Sequence, residues 1–67
     1  MTVGIIGLGL IGGSMAKAYK ENSGATVLAA DRDSTIVEYA RLQGTVDGEL
    51  TADTIPSCDL ILIALYP

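Results

Sequence analysis

The chain of 67 residues contains no histidine, a single cysteine, and four lysines and arginines against eight aspartates and glutamates. Each shortage removes a class of function. Four scattered cations in a chain of net charge −4 cannot form the clustered basic surface that nucleic acid requires. Cys58 alone can build neither a disulfide framework nor a cysteine-based zinc site within the chain. Its expected place is that of a small buried hydrophobe beside a strand. No apolar run approaches the roughly 20 residues that span a bilayer. The uncharged stretch Val3 to Ala16 is not a secretory signal, because no Lys or Arg precedes it and its interior glycines would spoil a compact apolar helix. A soluble, cytoplasmic chain is the expectation. Apolar residues make up 49% of the total, so disorder is not indicated, and the length suffices for one small domain whose isolated core is near marginal.

Glycine, by contrast, is concentrated where it should do harm. "GIIGLGLIGGSMAKAYK", Gly4 to Lys20, is dense in a residue that weakens helices and strands alike, and then turns helical. Thr2 to Ile6 reads as a short strand, apolar apart from Gly4 and without alternation, as in a parallel sheet covered on both faces. Beyond the glycines, Ile11, Met15, Ala18 and Tyr19 fall at helical spacing and are expected to form the apolar face. Lys17 and Lys20 lie towards the helix C-terminus, where cations are favoured, and Gly24 is the stop. "TVLAA", Thr26 to Ala30, is a second buried strand. Asp33 or Ser34 can cap the following helix, in which Ile36, Val37 and Ala40 are expected to face the core before Gly44 ends it.

The segment "TVDGELTADTIPS" carries a weaker signal: a brief strand near Glu49 to Thr51 and at most one helical turn before Pro56. "CDLILIALYP" holds the clearest strand, Leu60 to Leu65. Strands alternating with helices imply an α/β fold with a parallel sheet in the order 3-2-1-4 and two main helices. A doubly wound domain is seldom this short. The expectation is that residues 1–67 are the N-terminal part of a dinucleotide-binding domain that belongs to a larger protein.

Gly7-Leu8-Gly9-Leu10-Ile11-Gly12 is a G-x-G-x-x-G motif between a predicted strand and a predicted helix. In a dinucleotide site the first glycine permits the tight turn and the second lets backbone approach the pyrophosphate. The third allows close packing of helix on strand. The N–H groups of the first helical turn would then face the phosphates. Alone the pattern is weak, since glycine-rich turns are common. Asp31 strengthens it, lying 24 residues past Gly7 and 19 past Gly12 at the end of the second strand. A carboxylate there accepts hydrogen bonds from the ribose hydroxyls of NAD and repels the 2′-phosphate of NADP. Arg32 pulls the other way, because it can pair with that phosphate or stack on adenine. With Asp31 present, NAD is favoured over NADP. A P-loop is excluded, because Gly12 is followed by Gly13-Ser14 and no lysine is available for terminal phosphates. Leu65 and Tyr66, at the end of the last strand, are expected beside Gly7 to Gly12 where the strand order reverses. A tyrosine that only packs the strand end is the alternative for Tyr66.

Together, "VGIIGLGLIGGSMAKAYK", "AADRD" and "CDLILIALYP" resemble the N-terminal cofactor domain of prephenate dehydrogenases. Gly7 to Ser14 is the most specific piece, because the double glycine followed by serine, Gly12-Gly13-Ser14, is typical there. Hydroxyisobutyrate and phosphogluconate dehydrogenases more often carry methionine where this chain has Ile11. The resemblance implies an NAD-dependent oxidative decarboxylation of prephenate or arogenate, in tyrosine biosynthesis, by the full protein. It places Gly7, Gly9, Gly12 and Asp31 on the cofactor. It also implies a catalytic histidine, substrate-holding serine and arginine, and a helical dimerisation domain outside these residues. Without histidine, catalysis by this stretch alone is not expected. Another NAD(P)-dependent dehydrogenase, or an NAD-sensing module without catalysis, remains the alternative. Right-handed crossovers would put both helices on one face of the sheet. The link "ADTIPS" is expected to leave the other face bare, so self-association into a homo-oligomer is expected.

Overall fold

A computed structural model describes residues 1–64; Leu65, Tyr66 and Pro67, and the side chains of Leu10 and Ile11, lie outside the described residues. The elements run β1 (Thr2–Ile6), α1 (Leu10–Ser23), β2 (Thr26–Ala30), α2 (Ser34–Leu42), β3 (Gly48–Glu49), a 3-10 turn (Ile55–Ser57) and β4 (Leu60–Ile63). All strand pairings are parallel, and the sheet order is β3-β2-β1-β4, as the strand–helix alternation implies. Helix α1 packs on β1 and β2, and α2 on β2 and β3.

Register assigns the side chains to faces. Val3 pairs with Val27 and Leu60, and Ile5 with Ala29 and Leu62, so these residues share the face that meets the helices. Val3, Ile5, Val27 and Ala29 are fully buried there, with Ala16, Val37 and Val46 against them. Gly4, Leu28 and Ile61 form one row on the opposite face. That face is not left bare, contrary to expectation. Leu50 and Cys58 fold over Gly4, and a Cβ built there would meet Ile61 Cδ1 at 2.8 Å, Leu50 Cδ1 at 3.0 Å and Cys58 Sγ at 3.1 Å. Gly4 thus provides the room that lets the link close over the middle of the sheet. Cys58 is a half-buried free thiol in that contact, as its isolation suggested. Ile63, at the outer end of the same face, remains 68% exposed.

Several boundaries differ from the sequence reading. Strand β3 is Gly48–Glu49, because after Leu50 N–H donates to Ala29 O (2.7 Å) the Thr54 hydroxyl accepts from Thr51 N–H (2.7 Å) and turns the chain. Pro56 lies inside the 3-10 turn, near its start, where a missing N–H is harmless. Strand β4 ends at Ile63, although Ala64 N–H still reaches Ile6 O at 2.8 Å.

On helix α1, Met15 and Tyr19 pack against the core as expected, and the departure is at Ala18. Ala16 is fully buried, while Ala18 is exposed. Gly12 and Ala16 lie on the docked side, where the lack of bulk lets the helix axis come close to the sheet. In α2, Val37 is buried and Ala40 partly so, but Ile36 is 40% exposed. Of the two candidate caps for α2, Asp33 is the one used: its carboxylate accepts from Thr35 N–H at 3.0 Å. Gly24, at φ 64°, closes α1. Lys20, in the last turn of α1, pairs with Asp47, whose second carboxylate oxygen accepts from Val27 N–H at 2.7 Å. Among the described residues no helix is long and apolar enough to cross a membrane, and no cluster of potential metal ligands is present.

Candidate functional site

Parallel strands deliver their carboxyl ends to one edge of the sheet, and here β1, β2 and β4 end together. Gly7 N–H donates to Ala30 O at 2.8 Å, so the β1–β2 ladder runs one rung past β1 before the chain turns. The turn needs φ 95° at Gly7, which a side chain would oppose. Gly9, at φ −61° and ψ −167°, occupies the N-cap of α1. That conformation suits any residue, so the glycine is not required by the backbone. What it provides is the lack of a side chain: nothing at the cap competes for the N–H groups of the first helical turn, which have no intrahelical acceptor.

Gly12 is required by space. A Cβ on it would lie 1.8 Å from Gly7 O and 2.9 Å from Gly7 C, and 3.3 Å from the Ala64 Cβ. The helix therefore rests directly on the turn, with the end of β4 beside it. Gly13, one residue on, would meet only Leu8 O at 3.6 Å, an ordinary contact.

Asp31 stands at the mouth of β2, and both of its oxygens are engaged. Oδ2 accepts from Leu8 N–H at 2.7 Å, and Oδ1 from Asp33 N–H at 3.0 Å. These donors, Asp33 first and Leu8 second, hold the carboxyl below the ordinary aspartate value against an opposing desolvation, with the charge of Arg32 adding to the lowering. An ionised carboxylate has lone pairs beyond the two used here.

Gly7, Gly9, Asp31 and Arg32 border one open cleft of about 740 Å³ above the strand ends, of a size usual for small-molecule sites. Its other walls were not evident from the sequence. Ser34 and Ile36 enter from the first turn of α2, and Ala64 from beyond β4. The proximity of Ser34 and Ile36 to Asp31 along the chain was a usable signal. Ala64 could be placed only through the β1–β4 register. Leu8 contributes its N–H but turns its side chain to the core, 8% exposed. For Leu10 and Ile11 only the helical backbone is described, and the expected positions of Leu65 and Tyr66 lie outside the described residues.

A parallel sheet whose first strand runs through G-x-G-x-x-G into a helix, with an acid at the end of the second, is the dinucleotide-binding arrangement of a Rossmann fold. The family model described as the NAD binding domain of 6-phosphogluconate dehydrogenase matches residues 2–66, and the chain belongs to that family. It is an NAD-binding domain of the dehydrogenase type, and its small-molecule partner is a nicotinamide dinucleotide. A search of curated proteins finds no match.

Proposed function

We propose that the chain binds NAD in preference to NADP and serves as the cofactor-binding part of a dehydrogenase. The observation that carries this reading is Asp31, ionised and aimed from the end of β2 beside the Gly7–Gly9 turn. Its remaining lone pairs suit the 2′- and 3′-hydroxyls of an adenosine ribose, and its charge opposes a 2′-phosphate. Gly7, Leu8, Gly9, Leu10, Ile11 and Gly12 form the seat of the pyrophosphate, which faces the positive end of α1 and the free N–H groups of its first turn, those of Gly7 and Leu8 being held by Ala30 O and Asp31. Arg32 flanks the adenosine end, where its exposed guanidinium can stack on adenine. Leu65 and Tyr66 are proposed for the far wall.

The nicotinamide supplies a hydride acceptor when the cofactor is bound. The part of this chain is to fix the adenosine and pyrophosphate so that the ring is presented at the strand ends. Gly12-Gly13-Ser14 and "CDLILIALYP" support prephenate or arogenate as the substrate of the whole protein. Oxidation with loss of carbon dioxide would give 4-hydroxyphenylpyruvate or tyrosine, with NAD taking the hydride. The family match is named for a phosphogluconate enzyme, so the substrate rests on these residues alone. The chain holds no histidine, the usual proton-transfer side chain at neutral pH, so in this reading the proton transfer falls to groups other than those assigned to the cofactor here. Association with a second copy belongs to the same reading, supported by the exposed Ile63 on edge strand β4.

Calorimetric titration of the chain with NAD and NADP at matched salt tests the cofactor assignment. NAD is expected to bind at least ~10-fold more tightly than NADP, about the effect of one hydrogen bond to a charged group. Asp31→Ala should abolish the preference. Equal affinities, or tighter NADP binding, would overturn it.

A further inference from the structure

Past the last backbone rung between β1 and β2, Gly7 N–H to Ala30 O, the next donor on the β1 side is Leu8 N–H. Its acceptor is not backbone but the Asp31 carboxylate, at 2.7 Å. The other oxygen of the same group holds Asp33 N–H, at the entry to α2. One side chain therefore splices the glycine turn to the start of α2.

We propose that Asp31 is a positioning residue for the phosphate-binding turn as well as a ribose acceptor, so that it sets affinity for the phosphate end of a ligand it does not touch there. This rests on the dinucleotide reading above and deepens it. The turn has few other restraints on its outer side. Gly7 is held by its N–H on Ala30 O, but the cap residue Gly9, beyond Leu8, has no side chain with which to fix the turn. Leu8 is anchored by its buried side chain, but its N–H would lack this acceptor if Asp31 were absent. With the carboxylate in place, the turn is held in one conformation before a phosphate arrives, and less ordering remains to be done on binding.

The test compares two variants that remove the same charge. Asp31→Asn keeps one oxygen that can accept from Leu8 N–H; Asp31→Ala keeps none. Amide hydrogen exchange is measured on the full chain without ligand, with the buried-strand amide of Val27 as the control for folding. Leu8 is expected to exchange at least ~10-fold faster in Asp31→Ala than in Asp31→Asn. Titration with inorganic pyrophosphate, which has no ribose, is expected to show weaker binding by Asp31→Ala than by Asp31→Asn, by about threefold or more. Equal Leu8 exchange, or equal pyrophosphate affinity, in the two variants overturns the proposal. Should Asp31→Ala not fold, the unsubstituted chain decides it. A through-hydrogen-bond scalar coupling between Leu8 N and Asp31 Cγ is expected, and its absence overturns the proposal. Failure of the unsubstituted chain to bind pyrophosphate would overturn the phosphate-turn assignment itself, whatever Leu8 does, so the two failures are told apart.

Discussion

Replacing Gly12 with alanine adds one methyl group at the point where α1 rests on the turn. The ideal Cβ would lie 1.8 Å from Gly7 O and 2.9 Å from Gly7 C. Ordinary contact between such atoms needs about 3.5 Å, so the helix and the turn must separate by more than about 1.5 Å. Neither obstacle is the end of a flexible side chain. Gly7 is itself held, by its N–H on Ala30 O and by a left-handed φ. Moving α1 outward would also loosen Ala16, which is fully buried against the sheet. Overpacking with flexible neighbours costs about 1–3 kcal/mol, and a rigid backbone obstacle puts Gly12→Ala at or above the upper end, about 3 kcal/mol. Domains of this size have only about 3–10 kcal/mol in total. Gly13→Ala is the control: it adds the same methyl in open contact, 3.6 Å from Leu8 O, and removes a helix-weakening glycine. It should stabilise by about 0.5–1 kcal/mol. Urea unfolding followed by far-ultraviolet circular dichroism measures both. Gly12→Ala within about 0.5 kcal/mol of the unsubstituted chain, with NAD affinity unchanged, would refute the close-packing role assigned to Gly12.

Asp47 and Lys20 form an exposed ion pair, but Asp47 also accepts from Val27 N–H in β2. Lys20→Ala should therefore cost no more than about 0.5 kcal/mol, and Asp47→Ala about 1 kcal/mol or more; equal effects in urea unfolding would show that the Val27 bond contributes nothing. Asp31 is held low by the N–H groups of Asp33 and Leu8, and Asp47 by Lys20 and Val27 N–H. Because both carboxyls are depressed in the folded state, their stabilisation is fully present above the ordinary aspartate value of about 3.9 and is lost as pH falls through the lower folded values. Circular dichroism across that acidic range should show a smaller pH-dependent loss of stability in Asp31→Asn than in the unsubstituted chain, and an unchanged profile would count against the role of Asp31. Ile63→Lys, on the exposed end of β4, should reduce the self-association measured by light scattering at micromolar concentrations. A monodisperse monomer of the unsubstituted chain would dispose of that association altogether.

Local pattern was enough to determine the strand and helix types, the parallel sheet order, the glycine turn and its acid. Each of these depends on spacing along the chain: apolar runs too short for a membrane, glycines at 7, 9 and 12, and a carboxylate where the second strand ends. Other features depended on groups far apart in sequence. On α1, Met15 and Tyr19 pack against the core as periodicity favoured, but the fully buried position is Ala16 and not Ala18, because Gly12 brings the helix down onto Gly7 O on that side. The short β3 ended where it did because Thr54 captured Thr51 N–H. The far face of the sheet was partly covered because Gly4 leaves room for Leu50 and Cys58, a contact across more than forty positions. The same holds at the site. Spacing alone placed Asp31 near the glycines, but only the folded chain put its carboxylate on Leu8 N–H and Asp33 N–H together, because a hydrogen bond depends on distance and direction, which residue spacing does not specify.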